Sequence, residues 1–381
     1  MASYGTTVFA EMSALASTRG AINLGQGFPD TDGPEVLLEA ATEAIRHGHN
    51  QYPPGQGVPE LLQAVAEHER RWWSQEYDPE GEILVTAGAT EAIAATVLSL
   101  CRAGDEVVTF EPYYDSYSAT IELSGAVLRV VRLRQPGWSF DPAELEAAIT
   151  PATRLILVNT PHNPTGKVFS PEELGLIARL CVEHDLIAVT DEVYEHLVFE
   201  GVHLPLASLT GMRERTLKIS SAGKTFSVTG WKIGWVVGPR ALVEAVRSVK
   251  QFLTFASGTP LQHAVGHALG LADEYFASTA GQLRDRRDQF CGGVESLGWK
   301  LERPQATYFA IVDIAQFAKK DGRAFCLELV DDPGVAAIPT EVFYGDKSAG
   351  KQLIRFAFCK QAEVIDEALR RLSRVPVIEM P

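Results

Sequence analysis

One lysine stands out among the residues whose type and spacing could do chemistry. Lys224 lies just after a short apolar run, 216–220, in the string Ser-Ala-Gly-Lys-Thr. A lysine taken alone is usually a solvated surface residue. Inside a cleft at the end of a strand, however, partial burial lowers the pKa of the amine toward neutrality. Such an amine is a nucleophile that can form a Schiff base with a carbonyl group.

The loops that follow other apolar runs carry side chains suited to a charged aromatic ring. Asp191 ends one such run and could ion-pair with a protonated ring nitrogen. Tyr194 and Asn163 could donate hydrogen bonds to a ring oxygen, and Tyr113 could stack on the ring. Together with a nucleophilic lysine, these residues predict a site for a reactive heteroaromatic ligand.

A phosphate site is predicted beside this group. Gly88, Ala89 and Thr90 open a predicted helix, whose free N–H groups and positive dipole end suit an anion. Ser221 and Lys232 could add a hydroxyl and a countercharge. The ligand should therefore carry a phosphate as well as a ring.

The elements that must position these residues form a repeating pattern. From about residue 80 to 240, short apolar runs bounded by Gly, Pro, Asn or Asp alternate with helical patterns. This alternation predicts an α/β fold with a mostly parallel sheet flanked by helices. Ligands of such sheets bind outside the carboxyl ends of the strands, where the loops above would converge. The predicted strands are 82–86, 106–110, 154–158, 186–190, 216–220 and 233–237.

After about residue 285 the pattern changes to long helices with a few strands, at 307–313, 334–338 and 353–358. We interpret this part as a smaller α+β domain. The predicted division is an N-terminal segment, 1–45, packing with the small domain, a large ligand-binding domain, 46–284, and a small C-terminal domain, 285–381.

Composition narrows the class of protein. The chain has 34 Lys and Arg against 49 Asp and Glu, a formal net charge of −15, so nucleic acid and anionic membranes are disfavoured as partners. No apolar stretch is long enough to span a membrane, and the first residues lack a signal-peptide pattern. The five cysteines are far apart and form no Cys-x-x-Cys motif, which predicts reduced packing residues. We therefore expect a soluble, cytoplasmic protein.

Two other motifs are weak. Gly223-Lys224-Thr225 resembles the end of a nucleotide-binding P-loop, but position 218 is lysine where that motif needs glycine. His263 and His267 lie four apart on a predicted helix without a third ligand, so we predict no metal site.

Three longer strings carry a resemblance to a known family. They are Asn163–Gly166, Asp191–Glu195 and Ser220–Trp235, and they resemble the signature of class I/II pyridoxal-phosphate aminotransferases of fold type I. The resemblance covers nearly the whole chain. Within the family, Leu24–Asp30 and Ile354–Lys360 resemble the kynurenine and glutamine aminotransferase branch. Asn50–Gly55 and Thr7–Ala16 look most like bacterial members assigned as N-succinyl-diaminopimelate aminotransferases.

The resemblance implies a role for each candidate residue. Lys224 matches the lysine that holds pyridoxal 5′-phosphate as a Schiff base, and Asp191 matches the partner of the ring nitrogen. Tyr194 and Asn163 match the partners of the phenolic oxygen, and Tyr113 matches the stacking aromatic. Further matches are the phosphate cup (Gly88, Ala89, Thr90, Ser221, Lys232), a tyrosine reaching the neighbouring subunit's phosphate (Tyr52), and the substrate-carboxylate site (Arg355 with Gly27 and Asn163). The match at Tyr52 implies a homodimer with shared active sites.

The implied function is transamination. An α-amino group moves from an L-amino acid to a 2-oxo acid by a ping-pong mechanism, and we expect this acceptor to be 2-oxoglutarate. A cysteine-conjugate β-lyase is the nearest alternative, because it needs the same deprotonation at Cα. A non-catalytic sensor fused to a DNA-binding module is disfavoured by the negative charge and by a family pattern that begins within ten residues of the start.

The amino donor stays open at this point. Kynurenine, glutamine, methionine and N-succinyl-diaminopimelate are all compatible with the motifs. Phe9, Phe28, Tyr52 and the stretch 255–257 are candidates for the side-chain pocket, although the three phenylalanines could equally be core residues.

Overall fold

The computed structural model describes residues 7–317 and 321–377. The outermost parts of the predicted terminal divisions, 1–6 and 378–381, and residues 318–320 lie outside the described residues. The strands are β1 (Ile22–Asn23), β2 (Ile83–Thr86), β3 (Glu106–Glu111), β4 (Val127–Arg132), β5 (Thr153–Asn159), β6 (Ile187–Asp191), β7 (Thr216–Ser221), β8 (Gly234–Val237), β9 (Lys300–Leu301), β10 (Phe309–Asp313), β11 (Val335–Ala336), β12 (Ile338–Pro339) and β13 (Leu353–Ala357).

The α-helices are α1 (Val8–Arg19), α2 (Glu35–Arg46), α3 (Pro59–Trp73), α4 (Gly88–Leu100), α5 (Ser116–Ser124), α6 (Pro142–Ala148), α7 (Pro171–Glu183), α8 (Ala222–Thr225), α9 (Arg240–Leu253), α10 (Thr259–Leu269), α11 (Asp273–Ser296), α12 (Gly322–Asp331) and α13 (Ala362–Leu372). Short 3-10 helices lie at Leu206–Ser208, Thr229–Trp231, Thr340–Phe343 and Lys347–Gly350. Ser170 and Glu173 form a reciprocal capping box at the start of α7, where Pro171 is the first helical residue.

A seven-stranded sheet in the order β2-β8-β7-β6-β5-β3-β4 forms the centre of the fold. Strands β3 to β7 pair in parallel, and β8 runs antiparallel to both of its neighbours. The predicted α/β class with a mostly parallel sheet is therefore confirmed. The sequence prediction missed β4, because this edge strand is half exposed and two arginines interrupt its apolar residues.

Helices cover both faces of the sheet, as the continuous apolar strands require. On β3, Val107 packs with residues of α4, α5 and α9, whereas its neighbour Val108 packs with residues of α6 and α7. Leu155 and Ile156 on β5 divide between the same two cores. This alternation holds the sheet rigid and fixes the loops at its carboxyl edge.

A second, smaller unit is built on the antiparallel sheet β12-β13-β10-β9. The N-terminal segment joins it, because β1 pairs with β11 and Met12 and Ala16 of α1 enter its core. These contacts support the proposed N-terminal division for α1 and β1 only, because Leu37 and Ala41 of α2 lie in the core of the large unit. The proposed boundary at residue 285 falls inside α11, whose Phe276 enters the large unit's core while its Phe290 enters that of the small unit.

All five cysteines are free, and Cys181, Cys291, Cys326 and Cys359 are buried. Among the described residues, no helix is both long enough and apolar enough to cross a bilayer.

Candidate active site

A cavity of about 380 Å³ opens between the carboxyl edge of the central sheet and the small unit. Most of the residues singled out from the sequence line it. They are Gly27, Gly88, Ala89, Thr90, Asn163, Asp191, Tyr194, Ser221, Lys224, Lys232 and Arg355. The structure thus brings together groups from strand ends, helix starts and loops of both units.

Tyr113 is a correction to the sequence prediction. It does not line the cavity: its backbone N–H donates to the carbonyl oxygen of Phe343, and its ring packs into the core beside α4. The next residue, Tyr114, lines the cavity instead. Two adjacent tyrosines follow β3, and only the path of the turn decides which one faces the cavity.

Tyr52 also lies outside the cavity of its own chain. Its side chain is 86% exposed, and its ring meets that of Phe255 edge-on at 5.5 Å. Its role at a neighbouring subunit therefore stays a prediction.

Lys224 lies on α8, directly after β7, at the floor of the cavity. Burial lowers the pKa of its amine to about 8, and the nearby Arg355 guanidinium acts in the same direction. Its Nζ lies over the rings of Tyr194 and Tyr308, at 5.7 and 5.6 Å from their centroids. A substantial fraction of this amine is therefore neutral near physiological pH, as a nucleophile or base requires.

Asp191 ends β6 and is almost fully buried. Burial raises the pKa of its carboxyl to about 6, and a hydrogen bond from the Tyr117 hydroxyl to Oδ2, at 2.6 Å, opposes that rise. The Asn159 amide donates to the Asp191 carbonyl oxygen at 2.8 Å and so fixes the strand end. The sequence analysis missed Tyr117 and Asn159 as site residues. Tyr117 acts through Asp191 and does not line the cavity, whereas Asn159 lines the cavity as well as holding Asp191.

The start of α4 forms a backbone cradle. Gly88 has φ of +75°, and a Cβ there would lie 3.3 Å from the Lys232 Nζ. A Cβ on Gly234 would come within 2.7 Å of the Gly88 carbonyl carbon. The Ala87 side chain makes no cap hydrogen bond at the start of α4, and the first N–H groups of the helix have no partner within it. Backbone N–H groups, two hydroxyls and an ammonium thus surround a space that fits a phosphate.

Arg355 on β13 is only 2% exposed and forms no ion pair with any described residue. Its Nη1 donates to Asn163 Oδ1 and its Nη2 to the Gly25 carbonyl oxygen, both at 3.0 Å. Its Nε has no partner among the described residues. Because a buried cation without a counterion is costly, this guanidinium fits a site that receives a carboxylate.

Aromatic rings complete the wall around Arg355. Phe309, Phe343 and Phe9 have their ring centroids 4.0, 5.0 and 5.3 Å from its guanidinium carbon. The Tyr308 hydroxyl donates to the Gly27 carbonyl oxygen at 2.8 Å and ties the N-terminal loop to the small unit. Phe9 therefore contributes to the site, whereas Phe28 and Phe255 do not line the cavity.

A charged cluster supports the site from the other face of the sheet. Lys218 Nζ lies 2.7 Å from Glu69 Oε1 and 2.7 Å from Glu195 Oε2, and all three side chains are buried. His203 and Glu192 form a second buried pair at 2.7 Å. Glu192 directly follows Asp191, and Glu195 directly follows Tyr194. The cluster therefore anchors the segment that carries both cavity residues.

Comparison with known proteins agrees with this geometry. Residues 19–372 match the family described as aminotransferase class I and II. The chain is 49% identical, over 97% of its length and 96% of the relative, to a probable N-succinyldiaminopimelate aminotransferase DapC of Mycobacterium tuberculosis. It is 37% identical to kynurenine–oxoglutarate transaminase 3 of Rattus norvegicus, covering 95% of this chain and 86% of that one.

A solved structure extends the likeness to three dimensions. The crystal structure of YbdL from Escherichia coli, described as having a methionine aminotransferase function, superposes with a TM-score of 0.93 at 38% identity, covering 97% of each chain. At that level of agreement the overall architecture is the same.

Proposed function

Because this chain belongs to the class I and II aminotransferases, which depend on pyridoxal phosphate, we propose that it transfers the α-amino group of an L-amino acid to 2-oxoglutarate by a ping-pong mechanism. One observation carries the proposal. The buried Arg355 guanidinium, whose Nε has no partner among the described residues, faces the same cavity as Lys224. Burial lowers the pKa of the Lys224 amine to about 8. A carboxylate held by the first residue would present its Cα to the second.

The chain offers a partner for each part of the cofactor. We propose that the α4 cradle, Ser221 and Lys232 hold the phosphate, that Tyr194 and Asn163 contact the ring oxygen, and that Asp191 contacts the ring nitrogen. Tyr114 would cover one face of the ring. When bound, pyridoxal phosphate supplies a carbonyl carbon that condenses with amines and a ring that withdraws electrons from Cα.

Lys224 then serves two purposes in turn. Its Nζ would hold pyridoxal phosphate in place and, once a substrate amine has displaced it, would take the proton from the substrate Cα. Burial favours the neutral amine needed for this step, since it lowers the pKa from the ordinary value of a lysine to about 8. The Lys224 amine would then donate this proton to the former carbonyl carbon of the cofactor, on the other side of the transferred nitrogen.

Arg355 would orient both substrates of the ping-pong cycle. Its two outer nitrogens are held by Asn163 and Gly25, so the guanidinium plane is fixed before a ligand arrives. The rings around it exclude water and strengthen a charge-assisted hydrogen bond to a carboxylate. This arrangement explains recognition of an α-amino or α-keto acid whatever its side chain.

For the donor, we place N-succinyl-diaminopimelate first, since a relative at 49% identity carries that name. Kynurenine and methionine follow from the names of more distant relatives, and glutamine from the resemblance of the motifs. The choice of 2-oxoglutarate as acceptor draws on the name of the rat relative.

We further propose a homodimer in the cytoplasm. Large apolar side chains lie exposed around Tyr52, with Phe252 at 86%, Leu253 at 47% and Phe255 at 45% exposure. A face of this kind is typical of a protein–protein contact. Five free cysteines are consistent with a reducing compartment.

The proposal is tested by measuring amino transfer from each candidate donor to 2-oxoglutarate, with glutamate as the product. We expect glutamate to form with at least one donor and to depend on both substrates. Pyruvate and ammonia from a cysteine conjugate without any acceptor would instead indicate the β-lyase reaction.

A further inference from the structure

A buried carboxylate joins the phosphate-binding cradle to a segment outside the cavity. Glu91 lies one turn into α4 and is 8% exposed. Its Oε2 accepts a hydrogen bond from the Ala87 backbone N–H at 2.5 Å, and its Oε1 accepts one from the Thr254 hydroxyl at 2.5 Å. Ala87 directly precedes Gly88, whereas Thr254 follows α9 and does not line the cavity.

The position of Glu91 is electrostatically unfavourable for a phosphate site. A carboxylate close to the anion repels it, and repulsion in a buried environment is weakly screened. By occupying the Ala87 N–H, however, Glu91 closes the helix start just ahead of the N–H groups of Gly88, Ala89 and Thr90. Those groups stay available to a ligand. The carboxylate therefore shapes the cradle without binding the ligand.

Thr254, the second partner of Glu91, directly precedes Phe255. Phe255 lies on the exposed apolar face formed by Tyr52, Phe252, Leu253 and Phe255. Lys250, which is 1% exposed, donates from Nζ to the Phe255 carbonyl oxygen at 2.6 Å and to the Gly55 carbonyl oxygen at 3.0 Å. Burial lowers the pKa of Lys250, and the nearby Glu91 carboxylate opposes that shift. The Glu91–Thr254 hydrogen bond, the peptide link from Thr254 to Phe255 and the contact between the Phe255 and Tyr52 rings therefore connect the cradle to this face.

We propose that Glu91 is a positioning residue that sets the phosphate-binding turn against the Thr254–Phe255 segment, so that cofactor affinity depends on a contact outside the cavity. The proposal rests on the proposed function only in taking the α4 cradle as the phosphate site. It also implies that ordering the Thr254–Phe255 segment, for instance by subunit pairing, strengthens cofactor binding, and that cofactor binding reciprocally favours that order.

A purely local role for Glu91 makes a different prediction. If the carboxylate only closes the start of α4, the Ala87 contact suffices and Thr254 has no influence on the ligand. Substitutions at Thr254 separate the two roles, because this residue is exposed and no core packing depends on it.

The experiment measures the affinity of the cofactor-free full-length protein for pyridoxal phosphate and, separately, for inorganic phosphate by equilibrium dialysis. Thr254→Val should weaken both affinities by roughly three- to tenfold, the range of one typical net hydrogen bond. Thr254→Ser keeps the hydroxyl and should restore them. Glu91→Ala should weaken them at least as much, and Thr254→Val should add nothing in the Glu91→Ala background.

Glu244→Gln, on the exposed side of α9, is the matched control and should leave both affinities unchanged. Wild-type affinity in Thr254→Val, or additive losses in the double variant, would overturn the proposal. Should Glu91→Ala fail to fold, the Val and Ser variants at Thr254 still decide the question. A wild-type protein that binds no pyridoxal phosphate would overturn the proposed function instead.

Discussion

Tyr117 donates its hydroxyl hydrogen to Asp191 Oδ2 over 2.6 Å, in a contact where both side chains are buried. Burial alone raises the pKa of Asp191, whereas this bond favours the ionised carboxylate that a ring nitrogen needs as its counterion. Tyr117 thus keeps Asp191 charged in a place where the environment works against charge.

The first prediction follows from this pair. Tyr117→Phe removes the donor, so the pKa of Asp191 should rise further above about 6, by roughly one unit. As the pH is lowered, the variant should therefore lose its affinity for pyridoxal phosphate at a higher pH than the wild-type protein does. Tyr77→Phe, at another buried tyrosine that does not line the cavity, serves as the control. An unchanged acid limb would show that the bond does not tune Asp191.

The second prediction concerns Asp191 itself. Asp191→Asn should lower the rate of amino transfer by orders of magnitude, because an amide supplies no negative charge to the ring nitrogen. Burial disfavours the ionised carboxyl, so the cofactor-free variant should be no less stable at pH 7 than the wild type. Thermal unfolding curves first establish that the variant is folded. The amino-transfer rates of the variant and the wild type are then compared. Activity within about tenfold of wild type, some 1.4 kcal/mol of barrier, would refute the role of this carboxylate.

The third prediction tests the carboxylate site. Arg355→Lys keeps a positive charge but loses the fixed, two-pronged donor geometry. We expect kcat/KM to fall by roughly ten- to a hundredfold for every donor and acceptor alike, with the cofactor absorption spectrum intact. Loss for one side chain only would mean that Arg355 binds the side chain rather than the shared carboxylate.

The fourth prediction concerns the charged cluster behind the sheet. Lys218→Met leaves Glu69 and Glu195 buried without their ammonium partner and should reduce the free energy of unfolding by about 3–5 kcal/mol. Arg179→Gln removes an exposed arginine paired with Glu146 and Glu183 and should cost less than about 1 kcal/mol. Urea unfolding measures both variants. Equal losses would show that the cluster does not anchor the Asp191–Tyr194 segment.

Much of this architecture could be predicted from the sequence because the signals are local. The six buried strands are rich in apolar residues, and the polar residues that follow most of them reach the cavity as the topology of parallel sheets requires. Contacts between distant residues carry no such signal. Tyr117 and Asp191 are 74 positions apart, and Glu91 and Thr254 are 163 apart.

Two other features depended on geometry that local patterns do not encode. The edge strand β4 lacks the continuous apolar run of its buried neighbours, so it resembles a loop. The orientation of Tyr113 and Tyr114 is decided within a single turn after β3. The sequence therefore predicted an aromatic residue at this place but named Tyr113, whereas Tyr114 lines the cavity.

The central claim is that Lys224 carries the cofactor in a class I and II aminotransferase. Treating the protein loaded with pyridoxal phosphate with borohydride, followed by digestion and peptide mass spectrometry, locates the reduced link. We predict one pyridoxyl group, on the peptide containing Lys224, and none after Lys224→Ala. A pyridoxyl group on Lys232 or another lysine, or no fixed label at all, would contradict the account.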